Sequence, residues 1–265
     1  MSGVFQGQLL AGKHAFVTGG TSGINLGIAR RLAQAGARLS VLGRNAERGQ
    51  RAVQVLQEAG GQAAFHQADV REYAAVEQAL REAVERWGRL DILVNGAAGN
   101  FPAPVLGMSS KGFRAVVDID LVGTFNSCRA GFEYLQQPGA VVVNVSAPQA
   151  YAPAPFQAHV CAAKAGVDML TRVLAMEWGG AGVRVNAITP GPIAGTEGME
   201  RLAGSPEEAA RVVRTVPLGR LGTVEDVAEA VLFLVSPAAS FITGAVLVCD
   251  GGWSLGGLGH LVPGS

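Results

Sequence analysis

The chain has 265 residues, 49% hydrophobic and 16% charged, with 21 basic side chains balanced by 21 acidic ones. That composition excludes a disordered polymer, and a net charge of zero excludes recruitment of nucleic acid or an anionic membrane by a global field. Any anionic ligand must be met by local groups. No apolar run approaches the ~20 residues of a bilayer span, no basic segment followed by a long apolar run marks the N-terminus, and Pro263-Gly264-Ser265 is not a peroxisomal address of the Ser-Lys-Leu type. A soluble cytoplasmic protein is expected. The three cysteines, Cys128, Cys161 and Cys249, lack ligand-like spacing and read as small buried hydrophobes in a reducing compartment; no metal site is expected.

In chain order, short apolar runs alternate with longer amphipathic segments. Residues 14–18 are predicted as a strand, 23–35 as a helix, 39–42 as a strand and 46–59 as a helix. Further strands are predicted at 63–67, 92–95, 140–146, 184–189 and 245–249, with helices between most of them. Strand–helix alternation with nearly all-apolar strands marks a parallel sheet covered on both faces. No linker tract or internal repeat interrupts the pattern, so one domain is expected across residues 1–265. Residues 148–156, with three prolines, read as a loop. Residues 190–218 follow a strand, where loops carry ligand sites in this architecture, and are expected to form a substrate lid. Residues 256–265 read as a loose tail.

Thr18-Gly19-Gly20-Thr21-Ser22-Gly23-Ile24 joins the first strand to the first helix. Glycines there let backbone N–H groups approach a pyrophosphate at the positive end of a helix, with Gly19, Thr21, Ser22, Gly23 and Ile24 as the candidate contacts. No Gly-Lys-Ser/Thr follows, which excludes a nucleoside-triphosphate loop. The second strand ends at Gly43-Arg44 with no acidic residue. An acid there would bond the adenosine ribose; a guanidinium instead offers forked donors to a 2′-phosphate. The expected fold is therefore α/β, a single Rossmann-type doubly wound parallel β-sheet flanked by helices on both faces, and the expected cofactor is NADPH.

These motifs, with Asn95-Gly96-Ala97-Ala98-Gly99, Ser146, Lys164, Pro190-Gly191-Pro192-Ile193 and Asp250-Gly251-Gly252, resemble the short-chain dehydrogenase/reductase family over nearly the whole chain. The resemblance implies that Asp69 and Val70 hold the adenine, that Asn95 and Ala97 line the nicotinamide-ribose side, that Lys164 bonds the ribose hydroxyls, and that the backbone at Pro190, Gly191 and Ile193 faces the carboxamide. The sequence departs from the family at three points. Asn25 replaces the last glycine of the turn, where Gly27 or a register adjustment is expected to compensate; Gly96 stands where a second Asn is usual; and Val160 stands four residues before Lys164, where most members carry the catalytic Tyr. Valine has no donor or acceptor and cannot protonate an alkoxide. Tyr151 has the wrong spacing to replace the Tyr and reads as a loop aromatic.

The pattern is similar to one subgroup, the 2,4-dienoyl-CoA reductases, particularly the peroxisomal type. It shares Asn100-Phe101 after the Ala-Ala-Gly, Asp120 in place of the usual Asn, and His159 five residues before Lys164. The resemblance implies an NADPH-dependent reductase that adds hydride to the far end of a dienoyl thioester and protonates the dienolate at carbon to give a 3-enoyl-CoA. Asp120, Lys164 and Ser146 are then the expected catalytic residues, and Asn100, Phe101 and His159 the expected acyl-CoA contacts. Lys164 lies on an otherwise apolar face with Val160, Ala163, Val167, Leu170 and Leu174, where an ammonium needs a partner. That face is longer than one sheet contact requires, and the resemblance implies that this helix and the one after Asp120 pair across a two-fold axis, giving a homodimer or homotetramer. Two other readings stay open: a ketoreductase or alcohol dehydrogenase with a displaced proton donor, and a catalytically silent NADPH-binding protein.

Overall fold

Seven parallel strands in the order β3-β2-β1-β4-β5-β6-β7 form the centre of the protein, a computed structural model that describes residues 7–256, the side chains of Arg201 and Leu202 apart. The strands are β1 (His14–Thr18), β2 (Arg38–Gly43), β3 (Ala63–Gln67), β4 (Ile92–Asn95), β5 (Val141–Val145), β6 (Arg184–Pro190) and β7 (Val246–Cys249). Each sequence-predicted strand is present, with bounds shifted by a residue at most. Between them lie α1 (Gly23–Gln34), α2 (Ala46–Glu58), α3 (Tyr73–Trp87), α4 (Ser110–Val117), α5 (Gly123–Gly131), α6 (Ala158–Trp178), α7 (Glu197–Leu202), α8 (Pro206–Thr215) and α9 (Val224–Val235).

Alternation of side chains along a strand divides the interior into two cores. Val17, Val41, Val94 and Val143 face Ile28 and Leu32 of α1, Leu56 of α2, and Val231 and Leu232 of α9. Their neighbours Phe16, Leu42, Leu93 and Val142 face Leu80 of α3, Cys128 of α5, and Leu174 and Trp178 of α6. Each large side chain sealed in this way contributes about 1.5–3 kcal/mol of hydrophobic free energy. Parallel strands buried on both faces must be apolar almost throughout, which is why their positions stand out in the sequence.

After β3 the chain crosses back past β2 and β1 to lay down β4 beside β1. The crevice outside the C-terminal ends of β1 and β4 is the switch point where such sheets bind ligands, and the loops there carry the candidate residues. Residues 190–218, expected as a substrate lid, include two capped helices, α7 with Thr196 at its N-cap and α8 with a Ser205–Glu208 capping box. Of the expected tail, only Gly256 falls within the described residues.

Candidate active site

The turn after β1 is shaped for close approach. Gly19 has φ +69° and a Cβ there would stand 2.8 Å from Ala97 Cα, so only glycine lets the turn lie against the loop after β4. Ser22 caps α1 without a side-chain hydrogen bond, and the first turn holds no acidic residue. The amides of that turn therefore keep their affinity for an anion. The two departures from the family motif in this region explain one another. Asn25 Nδ2 donates to Gly96 O at 2.7 Å, and a Cβ on residue 96 would come within 2.0 Å of Asn25 Oδ1. The asparagine thus fills the space that Gly96 leaves and ties the turn to the end of β4. Gly27, expected as a possible compensation, serves α1–α9 packing instead, where a Cβ would meet Val224 Cγ1 at 1.8 Å.

Arg44 is exposed at the end of β2, but it is less isolated than its strand end suggests. Asp69, at the end of the neighbouring β3, comes within 4.0 Å of its guanidinium. Arg71 holds that carboxylate more tightly, at 2.6 and 3.0 Å, and the Arg71 guanidinium keeps the Asp69 carboxyl below its ordinary range. Asp69 therefore enters the site as an ion-paired group with two arginines beside it. Val70 is buried, and its carbonyl accepts from Asn126. Asn95 spends its side-chain amide on Asn144 Oδ1, 2.9 Å away inside the sheet.

The centre of the site is a buried ion pair. Asp120 lies in a π-helical turn, Asp118–Val122, between α4 and α5. Turns of this kind recur at functional sites, and here the widened turn accompanies an almost wholly buried carboxylate. Its Oδ1 accepts from Gly99 N at 2.7 Å, and its Oδ2 is 3.2 Å from Lys164 Nζ. Lys164 also donates to Val145 O at 2.9 Å. In the structure the partner of the lysine is Asp120, itself held by the backbone of the loop after β4.

Ser146 is buried beside this pair. Its hydroxyl donates to Asp168 Oδ1 at 2.5 Å. Asp168 was not legible as a site residue, because the helix face around Lys164 reads as apolar; in fact Asp168 and Thr171 are buried on α6 with it. The available signal was an acid four residues after Lys164, one helical turn away. His159 is fully buried. Its Nδ1 accepts from Val160 N at 2.9 Å, which puts the proton of the neutral ring on Nε2, a buried atom with no hydrogen-bond partner. Phe101 packs edge-on against that ring at 4.5 Å. Asn100 lies next to it on the surface. Tyr151 bonds Ser254 Oγ at 3.1 Å and is half exposed. Pro190 ends β6, and Gly191 packs so closely on Asp250 that a Cβ would meet its Cα at 2.6 Å; Ile193 bridges to Gly222.

The three cysteines are free; Cys128 is buried, with its thiol pushed up to about 12 by burial, and the other two are partly buried. Among the described residues no cluster could hold a metal ion, and no helix is long and apolar enough to cross a membrane.

A parallel sheet with a glycine turn at its switch point and a buried lysine on the sixth helix defines a nicotinamide-dependent oxidoreductase. A family model described as enoyl-(acyl carrier protein) reductase matches residues 19–254, and the chain belongs to the short-chain dehydrogenase/reductase family. It is 42% identical to a peroxisomal 2,4-dienoyl-CoA reductase ((3E)-enoyl-CoA-producing) of Danio rerio over 94% of this chain and 84% of that one. It is also 42% identical to a probable 2,4-dienoyl-CoA reductase ((2E)-enoyl-CoA-producing) of Bacillus subtilis, over 91% of this chain and 96% of that one. A crystal structure of a short-chain dehydrogenase from Bacillus anthracis superposes with a TM-score of 0.82 at 38% identity, covering 91% of this chain and 96% of that one.

Proposed function

We propose that the chain is an NADPH-dependent reductase that converts a 2,4-dienoyl-CoA to a 3-enoyl-CoA. The observation that carries this reading is the buried Asp120–Lys164 pair, 3.2 Å apart, in a site where Val160 occupies the proton-donor position. Such a site lacks an acid to protonate an alkoxide at a carbonyl carbon. Reduction of a conjugated thioester needs none there: charge spreads to the thioester oxygen and the proton goes to carbon. The names of the relatives above support the same substrate class.

The residues fit a nicotinamide dinucleotide, because the Gly19 approach and the uncapped, acid-free start of α1 form an anion cradle. Gly19, Thr21, Ser22, Gly23 and Ile24 would hold the pyrophosphate and Arg44 the 2′-phosphate. Asp69 and Val70 would border the adenine, Asn95, Ala97 and Lys164 the nicotinamide ribose, and Pro190, Gly191 and Ile193 the carboxamide. NADPH, when bound, supplies the hydride. Lys164 contributes positive potential where the dienolate charge develops. Asp120 holds a water that delivers the proton to the α-carbon. Asn100, Phe101 and His159 contact the acyl thioester, Ser146 lies beside its oxygen, and residues 190–218 cover it. The protein works as a homodimer or homotetramer, one NADPH-binding domain per chain.

The test is a turnover screen with NADPH that sets 2,4-dienoyl-CoAs against β-ketoacyl-CoAs and simple ketones, with the double-bond position of the product read by mass spectrometry or NMR. Oxidation of NADPH with dienoyl-CoA alone is the expected result. Reduction of ketones without dienoyl-CoA turnover sinks the reading in favour of a ketoreductase.

A further inference from the structure

Asp168 is a buried acid that the mechanism above leaves unused. It lies on α6 one turn beyond Lys164, so both side chains leave the same side of the helix. Ser146 and Asp168 are 3% and 6% exposed and share the 2.5 Å hydrogen bond. Lys164 bonds the carbonyl of Val145, the residue before Ser146. Serine, lysine and two acids therefore form one cluster. A serine hydroxyl has a single proton. While Asp168 is ionised, that proton is committed to the carboxylate, and Ser146 can only accept from any other group. Once Asp168 is protonated, its O–H can donate to Ser146 Oγ, and the serine proton is released toward the site.

We propose that Asp168 is a positioning residue: by gaining or losing one proton it reverses its bond to Ser146 and so decides whether Ser146 can donate to a substrate oxygen. The dienoyl reading enters only in naming that oxygen, the thioester carbonyl. No substrate bond is made or broken in the switch; one proton arrives from solvent at the carboxylate and later returns there. A route for it exists, since Asp168 lines a cavity of about 530 Å³ with Tyr151, Arg172 and Val248. The charged and titratable groups facing Asp168 are Lys164 and Arg172 on its own helix and Tyr151 from the loop after β5; β7 brings only valines to the cavity. Burial opposes ionisation and prevails over the Ser146 bond and the two cations, so the Asp168 carboxyl is held above the ordinary carboxylate range.

Two measurements on the full chain test this. In ¹³C NMR, with the Asp168 carboxyl assigned by its loss in Asp168→Asn, the wild-type resonance should titrate above the ordinary value of about 3.9. Ser146→Ala should move that midpoint higher, because a bond favouring the ionised form is lost. In steady-state kinetics with NADPH and a 2,4-dienoyl-CoA, kcat/KM should rise roughly 10- to 100-fold toward acid across the same midpoint, the scale of one hydrogen bond to a charged group. Ser146→Ala should abolish that limb. Asp168→Asn, whose amide can donate to Ser146 at any pH, should hold the acid-side rate throughout. A carboxyl that titrates normally or ignores Ser146→Ala overturns the proposal, as does a pH limb that survives in both variants. If no dienoyl-CoA is turned over, the functional reading fails and the carboxyl titration alone decides this one. If Asp168→Asn does not fold, Asp168→Glu supplies the assignment by displacing the same resonance, and Ser146→Ala supplies both readouts.

Discussion

A carboxylate and an ammonium sealed together answer to mutation as a unit. Removing Asp120 outright leaves Lys164 as a buried charge with one carbonyl for company, and breaking such a pair costs about 3–5 kcal/mol. Asp120→Asn keeps the shape and the Gly99 contact, so it separates chemistry from folding. We expect Asp120→Asn, and Asp120→Ala where it folds, to bind NADPH nearly as the wild type does, while turnover of a 2,4-dienoyl-CoA falls by about 10²–10⁴-fold, the scale of lost acid–base help. Calorimetry and steady-state kinetics on the same preparations check both halves, and undiminished turnover refutes the role. Arg44 is the second residue-scale case. Arg71 takes most of the Asp69 carboxylate, leaving the exposed Arg44 guanidinium able to fork onto a phosphate. NADPH should bind at least about tenfold tighter than NADH, and Arg44→Ala should erase the difference. Equal affinities in the wild type would count against NADPH.

At the scale of elements, two joints hold the site in place. The bond from Asn25 in α1 to the carbonyl after β4 is one, and its two residues should be strongly coupled. Gly96→Ala should destabilise the fold and weaken NADPH binding, because the new Cβ meets Asn25 Oδ1 at 2.0 Å. The same substitution in an Asn25→Gly background should be nearly harmless. Thermal denaturation of the four proteins gives the coupling, and additive losses would show that the two sites are independent. The other joint is the start of α9, where Thr223 and Asp226 form a capping box and Arg220 grips Asp226 at 2.7 and 2.9 Å. The Arg220 guanidinium, helped by the Thr223 bonds, holds the Asp226 carboxyl down at about 2. A carboxyl whose folded pKa is depressed stabilises above its unfolded value of about 3.9 and loses that contribution as pH falls toward 2. Arg220→Ala should therefore lower Tm at neutral pH, with the gap to wild type closing between about pH 4 and pH 2. A gap that is constant with pH excludes the linkage. The π-helical turn at Asp120 was among the elements that periodicity could not reveal, since a five-residue turn is too short to set a period of its own.

For the whole molecule, assembly is where sequence and structure diverge most usefully. Val167 and Leu174, expected at an interface, are spent in the chain's own core. The large apolar side chains left exposed on α6 are Met169, Val173 and Met176, spaced one turn apart, with Phe125 on α5 also exposed. A contiguous apolar stripe of this kind marks an interaction surface, and a two-fold pairing of α6 is the expected use of it. Light scattering should give a dimer or tetramer at micromolar concentration. Val173→Glu should yield folded smaller species, whereas Val167→Glu should unfold the chain. A monomeric wild type contradicts the pairing. The strands and the glycine turn were legible because burial on both faces and close backbone approach each demand particular residues. Lys164 was legible because a charge on an apolar face needs a partner, and Asp120 because the sequence resembles a subgroup that carries an acid at that position. The Ser146–Asp168 bond and the Asn25–Gly96 fit were not, since each joins residues 22 and 71 positions apart, and neither distance is written in local pattern.

The Asn25–Gly96 fit also carries a direction in time. A side chain at residue 96 would strike the Asn25 amide where it now stands, so the bond from Asn25 to the residue 96 carbonyl needs glycine there first. The reverse step is closed for the same reason: while Asn25 remains, every return from glycine at 96 begins with a clash. The dependence runs one way: Asn25 should be found only with glycine at 96, whereas glycine at 96 can stand without Asn25.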